Sequence, residues 1–235
     1  MQLLTMQSAK LDKSQTDQVL NAIQFLDPNY KPDKVTQSKA IEMFGALVCP
    51  AAGKCKETCL IYSGRMPMKN AVDARFNRTD YLYHQPELYL MQLKGEIASL
   101  LAKANKQGKK LAIRLNGTSD LNYRMIYEAF PMVQFFEYTK RKDLVIKNNE
   151  LENVHYTFSN DEKVKDSVLK RVNSLGVNIS VVFKGKLPST YKGIKVIDGD
   201  KHDRRFEDSS GVIVGLKFKG SKKDLEKAIQ SGFAV

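Results

Sequence analysis

The chain has 235 residues, of which 42% are hydrophobic and 27% are charged, and this balance excludes a disordered or collagen-like protein. Its 38 basic and 26 acidic residues give a net charge of +12, which favours contact with polyanions without establishing a nucleic-acid function. No run approaches the ~20 apolar residues that cross a bilayer. The N-terminus lacks the features of a signal or transit peptide, so we expect a cytoplasmic protein without membrane contact.

The first part of the chain, residues 1–48, has the least defined pattern. An alternating apolar segment over 22–26 predicts a strand that stops at Asp27 and Pro28, and a polar, Lys-rich insert over 30–39 follows it. From Met68 onward, apolar residues recur at helical spacing. A second helix is predicted to open with Pro86 in its first turn and to stop at Gly108.

Between residues 110 and 218, short apolar strands alternate with helices. Ser159 and Glu162 have the spacing of a capping box and predict a helix that ends at Gly176, and a shorter helix is predicted over 123–130. Strands separated by helices form a parallel sheet with helices on it. We therefore predict one α/β domain over 1–235, either a partial (β/α) barrel or a parallel sheet covered by helices. The predicted strands are 110–115, 133–138, 154–159, 177–183, 194–198 and 212–218.

All three cysteines of the chain lie in one short loop near the first predicted strand, with the spacing C-x5-C-x3-C at Cys49, Cys55 and Cys59. Pro50 and Gly53 turn the chain between them, so three thiolates are able to converge on one inorganic centre. Basic residues beside the sulfurs lower thiol pKa values and offset the negative charge of a thiolate-ligated centre. The clustering therefore indicates a metal site.

The identity of that centre follows from the number of ligands. Structural zinc prefers four protein ligands, and the loop contains no fourth cysteine and no histidine. A [4Fe-4S] cluster accepts three thiolates and leaves one iron for another ligand, so the pattern favours a cluster. Two alternatives remain open: zinc with a distant fourth ligand, and three reduced cysteines that only pack.

Polar residues also follow the ends of several predicted strands, where parallel sheets bind ligands. Turn formation and helix capping are competing interpretations for those after the first of these strands. Two acids and a histidine of the 198–205 loop could bind a divalent cation, but they match no calcium loop, so salt bridges between its acids and arginines are the preferred interpretation. The candidate ligand-binding residues are Arg114, Asn116, Thr118, Ser119, Asp120, Thr139, Lys140, Ser159, Asp198, Asp200, His202, Asp203 and Arg205.

Several segments of the chain resemble, in the same order, the phage-encoded "gene product eighty-eight"-like proteins. That family is similar to a distant, shortened relative of radical S-adenosylmethionine enzymes, in which a three-cysteine loop follows the first strand of a partial barrel and holds a [4Fe-4S] cluster. The resemblance implies a viral, cluster-binding protein of the host cytoplasm. The matching segments are Val48–Arg65, Arg114–Asp120, Tyr138–Lys140, Thr157–Ser159, Val196–Phe206, Gly211–Lys217 and Ser231–Phe233.

The cysteine spacing differs from that of the radical enzymes. Their pattern is C-x3-C-x2-C, whereas both intervals here are longer, and no glycine-rich strand end matches their methionine-binding segment. These two differences argue against S-adenosylmethionine as a cofactor.

Three functional hypotheses follow from these patterns. The leading one is a phage-type protein with a [4Fe-4S] cluster on Cys49, Cys55 and Cys59, with a redox or radical-type activity on an unidentified substrate. Asn116, Asp120, Asp200 and Arg205 are expected to contact that substrate in this case. The alternative is a basic viral nucleic-acid-binding protein in which a cluster or zinc is only structural. The third is a protein that acts on a host protein.

Overall fold

The fold is built on one large β-sheet. The computed structural model describes residues 1–6, 16–148 and 150–235, so most of the N-terminal stretch used to predict the cellular location lies outside the described residues. The strands are β1 Leu4–Thr5, β2 Val19–Gln24, β3 Lys110–Arg114, β4 Gln134–Thr139, β5 Val154–Ser159, β6 Asn178–Phe183, β7 Thr190–Tyr191, β8 Ile194–Asp198 and β9 Ile213–Lys217. The described helices are α1 Lys34–Phe44, α2 Lys69–His84, α3 Pro86–Lys106, α4 Arg124–Ala129, α5 Lys142–Lys147, α6 Asp166–Ser174 and α7 Lys222–Gln230.

The nine strands lie in the order β1-β2-β3-β4-β5-β6-β9-β8-β7. All neighbours from β2 to β8 are parallel, and only the short edge strands β1 and β7 run antiparallel to their partners. The predicted α/β class is therefore confirmed. Since β1 and β7 are the two edges, the described strands form an open sheet with helices rather than a closed barrel.

The strand order explains how the two faces of the sheet are covered. Strands β2 to β6 follow one another in space as in sequence, and right-handed crossovers then place the intervening helices on one face. The main core lies on this face, where Leu93 and Ile97 of α3 belong to the same buried cluster as Ile113, Phe135 and Phe158 of the sheet. Burial of these side chains is the main stabilising contribution to the fold.

The connection from β8 to β9 covers the opposite face. Because β9 returns to a position between β6 and β8, a right-handed crossover places this connection, the crossover loop (residues 199–212), on the face without helices. Phe206 of the loop packs on Phe136 of β4, with ring centroids 5.6 Å apart, in a second buried cluster with Val19 and Ala112. The crossover loop thus covers the face of the sheet that carries no helices.

Two local predictions are wrong. The first concerns residues 34–44, which were predicted to be the end of a polar insert and a short apolar run but form the helix α1. The Asp33 side chain caps the N-terminus of this helix, because it accepts hydrogen bonds from the Val35 and Thr36 backbone N–H groups. The predicted capping box at Ser159 and Glu162 does not form, because the helix begins only at Asp166. Glu162 instead accepts a hydrogen bond from the backbone N–H of Lys54, 2.9 Å away.

The ends of α3 agree with the sequence signals. Pro86 occupies its first turn, where the missing N–H costs no helical hydrogen bond. Gly108 follows its C-terminus with φ of +64°, a left-handed conformation that favours glycine. Among the described helices, none combines the length and the apolar character that a membrane span requires.

Gly117 lies where the turn after β3 contacts the chain after β2. Because the approach is close, an added methyl group at this position is expected to destabilise the fold. A Cβ there would lie 2.3 Å from the Gln24 carbonyl oxygen and 2.9 Å from Phe25. We expect Gly117→Ala to lower the free energy of unfolding by about 2–3 kcal/mol in urea titrations. Gly95→Ala is the matched control, since no atom outside its own helix lies within 4 Å of its Cβ. The control should be neutral or slightly stabilising, and equal effects of the two changes would contradict the prediction.

Candidate functional site

The cysteine loop (residues 49–59) lies at the carboxyl ends of the central parallel strands. The backbone N–H of Asp120, after β3, donates to the Val48 carbonyl oxygen at 2.7 Å, and the N–H of Asn122 donates to the Phe44 carbonyl at 3.1 Å. These two bonds connect the chain just before Cys49 to the turn that leaves β3. The loop is thereby placed at the sheet edge where parallel α/β folds bind ligands.

The three thiols lie close enough to influence one another. All three cysteines are free and partly buried. Burial, together with the charges of Asp120, Cys55 and Cys59, raises the pKa of Cys49 to about 12, against the opposing effect of Lys140. Burial also raises the pKa of Cys59, where the nearby charge of Cys55 acts in the same direction. Without a positive centre, the thiols of Cys49 and Cys59 are therefore held in their protonated form, contrary to the expectation that basic neighbours lower thiol pKa values.

Positive charge is available beside these sulfurs. The Lys140 ammonium donates to Asp161 Oδ2 at 2.8 Å and lies beside Cys55. Burial by itself lowers the pKa of Lys140, but the Cys55 charge and the bonds to Asp161 outweigh that effect, so the pKa is raised. Arg75 lies on the side of Cys59 and donates to the Met66 carbonyl oxygen at 2.8 Å. The site therefore holds two cations next to its thiols.

Asp120 holds the ends of two strands and the cysteine loop together. Its carboxylate accepts from Thr139 Oγ1 at 2.6 Å and from the Lys140 N–H at 3.0 Å. Burial raises its pKa to about 6, against the opposing effect of these hydrogen bonds. The predicted residues Asp120, Thr139 and Lys140 thus gather beside Cys49 and Cys55, as the strand-end pattern suggested.

Other predicted residues of the same turn are engaged within it. Asn116 Oδ1 accepts from Ser119 Oγ at 2.8 Å and from the Leu121 N–H at 2.9 Å. Thr118 Oγ1 donates to the Leu26 carbonyl oxygen and accepts from the Leu26 N–H at 3.1 Å. Asn116, Thr118 and Ser119 therefore shape the turn that presents Asp120, as the competing turn interpretation proposed.

The remaining predicted residues lie away from the cysteines. Arg114, His202, Asp203 and Arg205 meet on the face of the sheet under the crossover loop, where Arg114 forms an ion pair with Asp203 at 3.2 Å. Ser159 accepts from Ser180 Oγ at 3.3 Å.

Two further predicted acids lie at the outer strands. Asp200 accepts from the Lys217 N–H at 2.9 Å and from Lys219 Nζ at 2.6 Å. Asp198 lines a shallow cavity of about 700 Å³ with Lys186 and Lys217. The structure therefore separates the thirteen sequence candidates into distinct places, and only three of them adjoin the cysteines.

Four residues of the site were not found from the sequence. Asp161 and Glu162 follow β5 and were read as the start of a helix, although Asp161 pairs with Lys140 and Glu162 binds the loop at Lys54. Arg75 lies on a helix with no motif around it. Glu137 sits in the middle of β4, fully buried, and accepts from the Leu115 and Asn116 N–H groups at 2.9 Å each. A charged residue inside an apolar strand was the one available signal for Glu137.

The three thiols and the two cations beside them are the groups that the site offers to an inorganic centre. Among the described residues, no group of three or more His, Cys, Asp or Glu side chains is close enough to hold one metal ion. In an iron–sulfur cube each thiolate binds a different iron, so the sulfurs stand further apart. Three free thiols beside Lys140 and Arg75 match that donor set and its negative charge.

The comparisons with known proteins give a family. A family model described as Gene product 88 matches residues 2–235, nearly the whole chain. No curated protein and no solved structure matches the chain. The chain belongs to the Gene product 88 family, the phage-encoded family that its ordered motifs resemble.

Proposed function

We propose that this protein binds a [4Fe-4S] cluster through Cys49, Cys55 and Cys59. The observation that carries the proposal is that every cysteine of the chain lies in one loop at the carboxyl edge of a parallel sheet, with Lys140 and Arg75 beside the sulfurs. Thiolates in this number and surroundings bind iron–sulfur clusters.

The residues around the thiols have separate tasks in this proposal. Lys140 and Arg75 offset the negative charge that three thiolates bring to the site. Asp120 holds the start of the cysteine loop against the sheet, and Glu162 holds its middle at Lys54. A loop fixed in this way loses less conformational freedom on binding, which strengthens the binding of a metal centre.

The proposed activity is electron transfer to a small molecule. A bound cluster would supply one electron at a time, and an iron without a protein thiolate would be open to another ligand. The loop lies at the sheet edge where such a molecule would enter. The long C-x5-C-x3-C spacing favours an activity without S-adenosylmethionine, so we extend the proposal to redox chemistry and not to the radical enzymes.

Anaerobic reconstitution with iron and sulfide tests the proposal. We expect about four irons and four sulfides per chain, a broad visible absorption from thiolate-to-iron charge transfer, and a paramagnetic signal after reduction. A sample that stays colourless, or that takes up zinc at one ion per chain, would overturn it. Adding S-adenosylmethionine to the reduced sample should leave the paramagnetic signal unchanged. A changed signal would indicate that S-adenosylmethionine binds the cluster, as in the radical enzymes.

A further inference from the structure

Under the crossover loop, the part of the sheet formed by β5 and β6 carries a group of buried polar side chains, next to the apolar cluster around Phe206. Thr157 of β5 and Asn178 of β6 are direct neighbours across the two parallel strands, and both are fully buried. His155 lies two residues before Thr157, so its side chain is on the same face. Arg205 of the crossover loop is only 1% exposed, and its positive charge acts on His155.

Several polar atoms of this cluster have no hydrogen-bond partner. They are Thr157 Oγ1, Asn178 Nδ2, His155 Nε2 and Arg205 Nη1, all of them buried. The other ends of two of these side chains are bonded, because Asn178 Oδ1 accepts from the Val212 N–H at 3.1 Å and Arg205 Nη2 donates to the His202 carbonyl oxygen. Asn178 Nδ2 and Arg205 Nη1 are donors and the Thr157 hydroxyl is able to donate, and native proteins rarely leave several buried polar groups without a partner.

Arg205 forms an ion pair with Asp208 but retains N–H groups without a hydrogen-bond partner. Arg114 is paired with Asp203 at 3.2 Å and lies over the Tyr138 ring at 4.5 Å from its centroid. Asp208 Oδ2 is 3.2 Å from Arg205 Nε, yet neither atom makes a hydrogen bond of acceptable geometry. A guanidinium in this state retains donors for a second oxygen ligand.

We propose that the buried face of the sheet is a binding site for a small oxyanion, a carboxylate or a phosphate, held by Arg205, Thr157, Asn178 and His155. The oxygens of such an anion would accept from Arg205 Nη1, Thr157 Oγ1 and Asn178 Nδ2. The site is independent of the cysteines, since its residues come from β5, β6 and the crossover loop. The crossover loop packs directly on the sheet, which restricts the guest to a small one.

Titration of the full chain with acetate and with inorganic phosphate, each against chloride at equal ionic strength, tests this site. Burial and the Arg205 charge lower the pKa of His155 to about 4. A bound anion should raise that pKa by about one unit in imidazole NMR spectra. Thermal unfolding should also shift upward with acetate or phosphate in a saturable manner.

Thr157→Val separates a ligand site from a structural cluster. Removing an unpaired buried hydroxyl is expected to leave the protein folded and at least as stable. Anion binding measured by calorimetry should weaken about tenfold in this variant, while Thr190→Val, at an exposed position of β7, should bind as the wild type does. Equal stabilisation by chloride, or equal affinity in Thr157→Val, would show that only water occupies the face. Failure of the iron reconstitution would not alter either measurement.

Discussion

Replacing Cys55 with alanine is expected to abolish cluster binding, with an iron content at least about tenfold below that of the wild type after anaerobic reconstitution. Cys55 is the thiol that Lys140 contacts, and its loss leaves two thiolates, which cannot hold three irons of a cube. Cys49→Ala and Cys59→Ala should behave in the same way, because the proposal gives each sulfur one iron. Iron and sulfide analysis together with the visible spectrum measure the effect.

Lys56→Gln is the matched control for the cysteine variants. Lys56 is exposed and lies next to Cys55 in the same short turn. It should retain iron and sulfide at the wild-type level, and all variants should give the circular dichroism of the wild type. If an alanine variant retains a full complement of iron and sulfide, that sulfur is not a ligand. If all three do, the thiols only pack and the proposed function fails.

Glu137 is expected to make the protein less stable as the pH rises from about 5 to about 8. Burial raises its pKa from 4.5 to about 7, against the opposing effect of its backbone hydrogen bonds. The folded state therefore binds a proton more strongly than the unfolded state. This contribution to stability is fully present below the unfolded pKa and is lost as the pH rises through about 7. Its size is of the order of 2 kcal/mol, and the raised pKa of Asp120 acts in the same direction.

Urea unfolding at several pH values in the range measures this slope. Glu137→Gln removes the titrating group but keeps one oxygen for the Leu115 or Asn116 N–H, so the slope should flatten. Glu137→Leu should cost more stability, about 3 kcal/mol, since both N–H groups then lose their buried acceptor. A Glu137→Gln protein with the wild-type pH dependence would show that another group titrates.

Glu137 also connects the fold to the site. Its carboxylate fixes the backbone of Leu115 and Asn116, which begin the turn that ends at Asp120. Asp120 in turn binds the carboxyl end of β4 and the chain before Cys49. Replacing Glu137 is therefore expected to loosen the cysteine loop. The effect would pass through the turn and Asp120, because Glu137 itself contacts no thiol in this series of hydrogen bonds.

Local pattern was enough for the elements whose sequence and surroundings agree. The bounds predicted for β5 and β8 match the structure, and Pro86 and Gly108 correctly marked the limits of α3. Hydrophobic periodicity and turn-forming residues depend only on residues near one another in the chain, so they are visible in the sequence. The segregation of the three cysteines is likewise visible without coordinates.

The local sequence pattern gave a wrong prediction where a side chain bonds to a residue far away in the chain. Glu162 has the spacing of a capping residue, but it binds the Lys54 N–H, which comes from the cysteine loop more than a hundred positions earlier. The helix then begins at Asp166 instead. A long-range hydrogen bond of this kind leaves no periodic signal in either segment.

The sequence by itself determined the α/β class, most strand positions and the cysteine cluster, because each depends on residues near one another in the chain. Only the tertiary structure decided that β9 inserts between β6 and β8 and sends the crossover loop over the second face. It alone brought Asp161, Glu162 and Arg75 to the cysteine loop. The reason is physical: strand order and the meeting of distant side chains are fixed by burial and hydrogen bonding of the whole sheet, not by any local preference.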